Sequence, residues 1–245
     1  MKILKICTTY SCPFKCYFCF NRDKAEDNTL LSLDDMKEFL SKASDKFDKI
    51  VISGGEPSLV LKNYLKELVE IVKQYTSNVT IETYPIVPST FFDELNDVNI
   101  EVSYDFTARS RVQEVWRQLL TFKKPFNVNV TLSPIVFRFN PNKIIQTLNM
   151  LPQLQHVTFK PMFNSKNYQY NIKHSDYKKF VDVLKNSKLN VHFTYSYTDL
   201  HDEFILTPHG KLCGVYFDNG MRFEKELSIN EIDEHITNYP ENVRL

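Results

Sequence analysis

Along the first 160 residues, short runs rich in β-branched residues alternate with stretches of helical spacing, and this alternation limits the fold more than any other feature. The runs Ile3–Thr8, Lys49–Ile52, Val79–Thr83, Ile100–Ser103, Phe126–Leu132 and His156–Lys160 read as six strands. Between the first two, Ser32 caps a helix carrying Met36, Phe39, Leu40 and Ala43 on one side. Apolar Leu61, Tyr64, Leu65, Leu68, Val69 and Val72 give the next helix, over Leu61–Tyr75. A short helix after Pro88-Ser89, another over Ser110–Phe122, and a third from Asn140-Pro141 to Leu151 continue the rhythm, the last with proline at the position where its missing N–H costs least. Strands joined through helices of this length pair in parallel with right-handed crossovers. The chain must therefore form a parallel α/β sheet, and periodicity alone allows either an open doubly wound sheet or a barrel.

Beyond Lys160 the rhythm changes. A polar Asn- and Tyr-rich loop, Met162 to His174, leads into a helix capped by Ser175 and an alternating strand, Asn190–Tyr195. Phe204–Glu224 reads as a meander of short strands, with Asp218-Asn-Gly220 as its type I′ turn. Ser228-Ile-Asn-Glu231 has the form of a capping box and predicts a last helix.

The 245 residues, 42% hydrophobic, suffice for one core. A single domain is expected over 1–245, with a barrel core to residue 160 and a continuous cap over 161–245. No apolar run approaches the roughly 20 residues that span a bilayer. Thirty basic residues balance thirty acidic ones, so no global field recruits nucleic acid or an anionic membrane. The expectation is a soluble cytoplasmic protein.

Three of the five cysteines stand together in Cys12-Pro-Phe-Lys-Cys16-Tyr-Phe-Cys19, directly after the first strand. An odd cysteine count and no signal peptide speak for a reducing compartment and against a disulfide framework. Structural zinc takes four closed ligands, and Cys7, Cys213 and all six histidines are remote in sequence. A cubane [4Fe–4S] cluster held by three thiolates leaves one iron open to a ligand. The second strand ends in Gly54-Gly55-Glu56-Pro57, the only paired glycines among five in the chain. Paired glycine marks a positive φ or a close approach to the backbone, and Glu56 offers an anionic acceptor. In parallel β/α folds the active site lies at the C-terminal ends of the strands, where both motifs fall.

The cysteine run and the glycine pair closely resemble the signature of the radical S-adenosylmethionine (SAM) enzymes. The resemblance covers residues 1 to 160 and implies an incomplete (β/α)6 TIM-like barrel with a C-terminal β-meander and helix cap. It implies that Cys12, Cys16 and Cys19 ligate a [4Fe–4S] cluster whose open iron is chelated by SAM. Phe18 matches the family's aromatic beside the adenine, and Gly54, Gly55 and Glu56 match the motif that binds the methionine amino group. In Glu82-Thr-Tyr-Pro85, Thr83 carries over from the third-strand motif of many relatives, whereas Tyr84-Pro85 departs from it. Ser103 and Asp105 end the fourth strand, where the family binds ribose hydroxyls or the methionine carboxylate; capping the turn is the alternative role. Lys160 and Arg138, after the sixth and fifth strands, read either as carboxylate or phosphate contacts or as solvated cations. Cys7 reads as a buried small side chain, and Cys213 either as a packed thiol or as a participant in radical chemistry.

The implied activity is reductive cleavage of SAM to a 5′-deoxyadenosyl radical that abstracts hydrogen from a peptide, protein or small-molecule substrate, with flavodoxin or ferredoxin as electron donor. Cys19-Phe-Asn-Arg-Asp23 resembles the glycyl-radical activases, and Phe18-Cys-Phe20 resembles viperin-like nucleotide dehydratases. The rival from another class is a non-catalytic iron–sulfur or zinc binding module, for which the glycine pair and its acid have no use. Loops on a rigid scaffold carry most binding function, so substrate specificity is expected in Met162–His174 and Phe204–Glu224, through Asn164, Asn167, Tyr168, Tyr170, His209 and Arg222; the alternative is that the meander merely closes the barrel's open edge.

Overall fold

The computed structural model of the chain describes residues 1–14, 16, 19–104, 112–132, 141–161, 173–186, 192–195, 202–218 and 221–237. Its strands are β1 (Lys2–Cys7), β2 (Lys49–Ser53), β3 (Val79–Thr83), β4 (Asn99–Tyr104), β5 (Phe126–Leu132), β6 (Leu154–Pro161) and β7 (His192–Tyr195). Each pairs in parallel with the next. The final three, β8 (Asp202–Leu206), β9 (Leu212–Asp218) and β10 (Met221–Glu226), lie beyond β1 and complete one sheet of order β10-β9-β8-β1-β2-β3-β4-β5-β6-β7. The architecture is α/β with a mostly parallel sheet, a partial TIM-like barrel.

Local sequence explains the helices where side chains cap or pack them. Helix α1 (Leu33–Ala43) starts at Ser32, whose Oγ accepts the Asp35 N–H at 3.3 Å, and buries Met36, Leu40 and Ala43. Helix α2 (Lys62–Lys73) buries Leu65, Leu68, Val69, Ile71 and Val72. The short α3 (Thr90–Asp93), α4 (Val112–Thr121) and α5 (Pro141–Asn149) follow as the alternation requires. All pack on one face of the sheet. There Leu4, Ile6, Ile50, Ile52, Ile81, Ile100, Val102, Val130 and Val157 are sealed from solvent in a cluster that runs from Leu4 to Ile232. No described helix is long and apolar enough to cross a membrane.

Two expectations change. Helix α6 (His174–Lys185) begins one residue before Ser175, with Lys173 at the N-cap and no side-chain cap bond, so Ser175 does not cap it. The Ser228 motif yields only a 3-10 turn, Ile229–Ile232. The Glu231 carboxylate there accepts from Ser228 N–H at 2.7 Å and from its Oγ at 2.8 Å, but too few apolar residues follow to continue a helix. The expected meander is present, and its first strand β8 joins β1 in parallel, with Leu4 opposite Phe204 and Ile6 opposite Leu206. It thereby covers the β1 edge, which would otherwise be a row of unpaired backbone groups. The Asn219-Gly220 turn and the loop 162–172, with Asn164, Asn167, Tyr168 and Tyr170, lie outside the described residues.

Candidate functional site

The ends of β1 to β4 open onto a cavity of about 330 Å³. Cys12, Cys16 and Cys19 line it from the loop after β1, Gly54, Gly55 and Glu56 from the turn after β2, Thr83 from β3 and Ser103 from β4. Two motifs separated by more than thirty residues thus share one wall. Cys16 is buried, and Cys12 and Cys19 are half-buried; all three are free thiols.

The glycine pair is explained by the cysteine loop itself. Gly54 sits at φ +130°, and a Cβ there would stand 2.6 Å from the Thr9 carbonyl oxygen. On Gly55 a Cβ would fall 2.1 Å from the Ser11 carbonyl oxygen. That clearance allows the Gly55 N–H to donate to Thr9 O at 2.6 Å and the Glu56 N–H to Ser11 O at 3.2 Å. The two motifs are therefore stapled backbone to backbone, a role that adds to the ligand approach expected from sequence.

Glu56 is 2% exposed, and its carboxylate accepts from Ser58 N–H at 3.0 Å, from Tyr84 N–H at 2.7 Å and from the Thr83 hydroxyl. Burial pushes its carboxyl up from the ordinary range, and those hydrogen bonds oppose the shift. Of the roughly four lone-pair sites on a carboxylate, one is left. Thr83, expected to meet a ligand, donates to Glu56. Tyr84, which departs from the family pattern, is 2% exposed and packs edge-on against Phe14 with ring centroids 4.7 Å apart. Phe14 and Tyr84 thus seat the cysteine loop on the end of β3, a contact that no sequence spacing announces.

Beneath the cavity the inward face of the sheet is ionic. Lys5 Nζ lies 3.2 Å from Glu203 and 3.8 Å from Glu82, and Ser53 Oγ donates to Glu82 at 3.1 Å. Lys5 holds the Glu82 carboxyl down at about 2, against the cost of burial. Further across, Glu101 receives Lys160 at 3.5 Å, Lys49 at 3.9 Å and the Asn129 amide. Lys160 is accordingly an ion-pair partner of Glu101, with its own side chain still partly in solvent. Sequence reasoning passed over Lys5, Glu101 and Glu203, although their alternation with Leu4, Ile6, Val102 and Phe204 was the available signal.

Cys7 ends β1, is buried, and donates its thiol to Thr9 O at 3.4 Å; burial pushes its pKa up to about 12. Cys213 lies on β9, half-buried, with its pKa raised chiefly by burial. Phe18, Asp105 and Arg138 lie outside the described residues, as does the side chain of Arg222. Asn21, two residues past Cys19, lines the cavity, and its Oδ1 is buried without a hydrogen-bond partner among the described residues. An acceptor left unmade costs about 1–3 kcal/mol, so the cavity suits a ligand that brings a donor. Among the described residues no three Cys, His, Asp or Glu side chains converge on a single-ion position. In a cubane each thiolate meets a different iron, so its ligands surround a volume instead of a point.

Residues 6–151 match the family model described as the Radical SAM superfamily. Over 72 residues the chain is 38% identical to a probable GTP 3′,8-cyclase of Saccharolobus solfataricus, covering 29% of this chain and 21% of that protein. It is 30% identical over 102 residues to a putative glycyl-radical enzyme activating enzyme of Methanocaldococcus jannaschii, covering 40% of this chain and 38% of the relative. These matches span well under half of either relative. Among solved structures, SuiB of Streptococcus suis bound to S-adenosylmethionine superimposes with a TM-score of 0.67 at 16% identity, covering 86% of this chain and 59% of that one.

Proposed function

The chain belongs to the radical SAM superfamily, enzymes that use a [4Fe–4S] cluster and SAM, and on that premise we propose that the cavity at the ends of β1 to β4 is where both are held. The carrying observation is the convergence of Cys12, Cys16, Cys19, Gly54, Gly55 and Glu56 on one wall. When bound, cluster and SAM supply a 5′-deoxyadenosyl radical that removes hydrogen from a substrate.

The protein's own part is to ligate, orient and shield. Cys12, Cys16 and Cys19 are the three thiolate ligands, leaving one iron for SAM. Phe18, matched to the family's aromatic, would stand beside the adenine. The remaining lone pair of Glu56 accepts from the SAM ammonium, a charge-assisted bond in a place where burial otherwise penalises the carboxylate. Gly54 and Gly55 keep the wall thin, Ser103 and Asp105 meet the ribose or the carboxylate, and Asn21 Oδ1 takes one of the donors SAM carries. Thr83 acts by fixing Glu56.

The substrate is a peptide, protein or small molecule, and a reduced flavodoxin or ferredoxin supplies the electron. A second reading, activation of a glycyl-radical enzyme, is supported by the M. jannaschii match and the run Cys19-Phe-Asn-Arg-Asp23. Both readings require turnover of SAM, which a passive iron–sulfur or zinc module lacks. Anaerobic reconstitution followed by reduction with dithionite is expected to release 5′-deoxyadenosine from SAM. Iron binding without any such product would leave only the passive module.

A further inference from the structure

We propose that the C-terminal meander is a clamp that positions the cysteine loop, with Lys24, Asp27, His209 and Glu224 as its working side chains. The proposal rests on the reading of Cys12, Cys16 and Cys19 as cluster ligands, and it concerns what keeps them in place.

The cysteine loop leaves β1 at Thr8 and returns at Leu31, whose N–H donates to Thr8 O at 2.9 Å. Its outgoing limb carries the cysteines; its return limb, residues 22–27, carries none. Backbone bonds tie the two limbs together at both outer cysteines. The Cys12 N–H donates to Ala25 O at 3.4 Å, and Cys19 O accepts the Arg22 N–H at 3.4 Å. A displacement of the return limb is therefore passed to Cys12 and Cys19 through one hydrogen bond each.

That return limb is what the meander grips. His209 Nε2, on the turn between β8 and β9, lies 3.0 Å from Asp27 Oδ2. Lys24 Nζ is 3.8 Å from Glu224 of β10 and sits over the Tyr10 ring, 4.7 Å from its centroid. Tyr10 is 4% exposed and belongs to a small apolar cluster with Cys7, Ile205 and Val215, so the loop's first residues are packed on β8 and β9. The turn bearing His209 is itself rigid. Gly210 N–H donates to Thr207 O at 3.0 Å, Thr207 N–H donates to Lys211 O at 2.9 Å, and Lys211 N–H donates to Thr207 Oγ1 at 3.1 Å.

Exposed ion pairs contribute little to global stability, so this arrangement is a poor candidate for holding the fold. It is well placed for holding a loop, because the return limb it grips is hydrogen-bonded to Cys12 and Cys19, and the partners of metal ligands typically tune metal affinity by tenfold or more. His209 is thus engaged with the cysteine loop through Asp27.

The test uses the full chain, reconstituted anaerobically, in wild-type form and as His209→Ala, Asp27→Asn, the double variant, Lys24→Met and Lys24→Arg. Iron loss to a chelator, the EPR spectrum of the reduced cluster and the thermal midpoint are recorded. His209→Ala, Asp27→Asn and Lys24→Met are expected to lose iron about tenfold faster and to alter the EPR line shape, while the thermal midpoint barely moves. The double variant should be no worse than either single one, and Lys24→Arg, which keeps a cation over Tyr10, should behave as wild type. Wild-type iron retention in every variant, or additive effects in the double variant, overturns the clamp. A wild-type chain that binds no cluster overturns the reading on which it rests, and the two failures are told apart by that control.

Discussion

The two faces of the parallel sheet are built from different chemistry. On the helix side, Leu4, Ile6, Ile50, Ile52 and Ile81 are fully sealed, and β1 to β6 and β8 all contribute aliphatic surface to one continuous cluster. On the other side Lys5, Lys49, Lys160, Glu82, Glu101 and Glu203 form ion pairs across β8, β1, β2, β3, β4 and β6. Parallel sheets with both faces covered usually read as unbroken hydrophobic runs. Here only one face needs to exclude water. The helix side makes the fold, and the inward side, with the loops at its end, makes the site.

If that division is sound, emptying the site should spare the fold. Cys16→Ala is expected to take bound iron from about four per chain to none, with the far-UV circular dichroism unchanged. A folded variant that still binds a full complement of iron would remove Cys16 from the ligand set.

The helix face gives the converse test. Ile52 is wholly buried between β1 and β3, so Ile52→Ala is expected to cost about 2–5 kcal/mol in denaturant unfolding. SAM affinity in the surviving folded fraction should stay near wild type. A large loss of affinity at small loss of stability would mean that the two faces are coupled.

Glu56→Ala falls between. It removes the acceptor proposed for the SAM ammonium and also orphans Ser58 N–H, Tyr84 N–H and the Thr83 hydroxyl. The cluster should remain, because the Glu56 N–H still donates to Ser11 O. A lost charge-assisted bond is worth roughly 1.5–3 kcal/mol, or about ten- to a hundredfold in SAM affinity by calorimetry. Unchanged affinity would reduce Glu56 to a strut between β2 and β3.

The sequence displayed the helix face plainly, since β-branched runs and the apolar spacing of α1 and α2 are local patterns. The Cys12–Cys19 run and Gly54-Gly55 were equally visible because both are contiguous. What stayed hidden depends on partners far along the chain. Lys5 meets Glu203 only because β8 docks beside β1, and nothing within Asp202–Leu206 states which edge it will join. The need for glycine at 54 and 55 was legible, but its cause, the carbonyls of Thr9 and Ser11, appears only when the two loops are brought together. Ser175 and Ser228 show the other limit. A capping residue marks a possible start, whereas packing decides whether a helix begins there and how far it runs.

The smallest expected effect sharpens the comparison most, because it separates two carboxylates that line the same cavity. Glu82 is held at about 2, below its ordinary 4.5, chiefly by Lys5. Between those values the unfolded chain binds more protons than the native one, so the contribution of Glu82 to stability is complete above about pH 4.5 and is lost as the pH falls toward 2. Glu56 is shifted upward by burial, so the native state takes up its proton first, and acidification through its raised pKa favours folding. Urea midpoints measured from neutral pH downward should therefore show the gap between wild type and Glu82→Gln closing, while wild type gains relative to Glu56→Gln. A Glu82 gap that fails to close would mean that Lys5 does not hold Glu82 ionised and that the inward face is an ordinary buried surface, whereas a Glu56 gap that closes would mean that burial does not raise the Glu56 carboxyl.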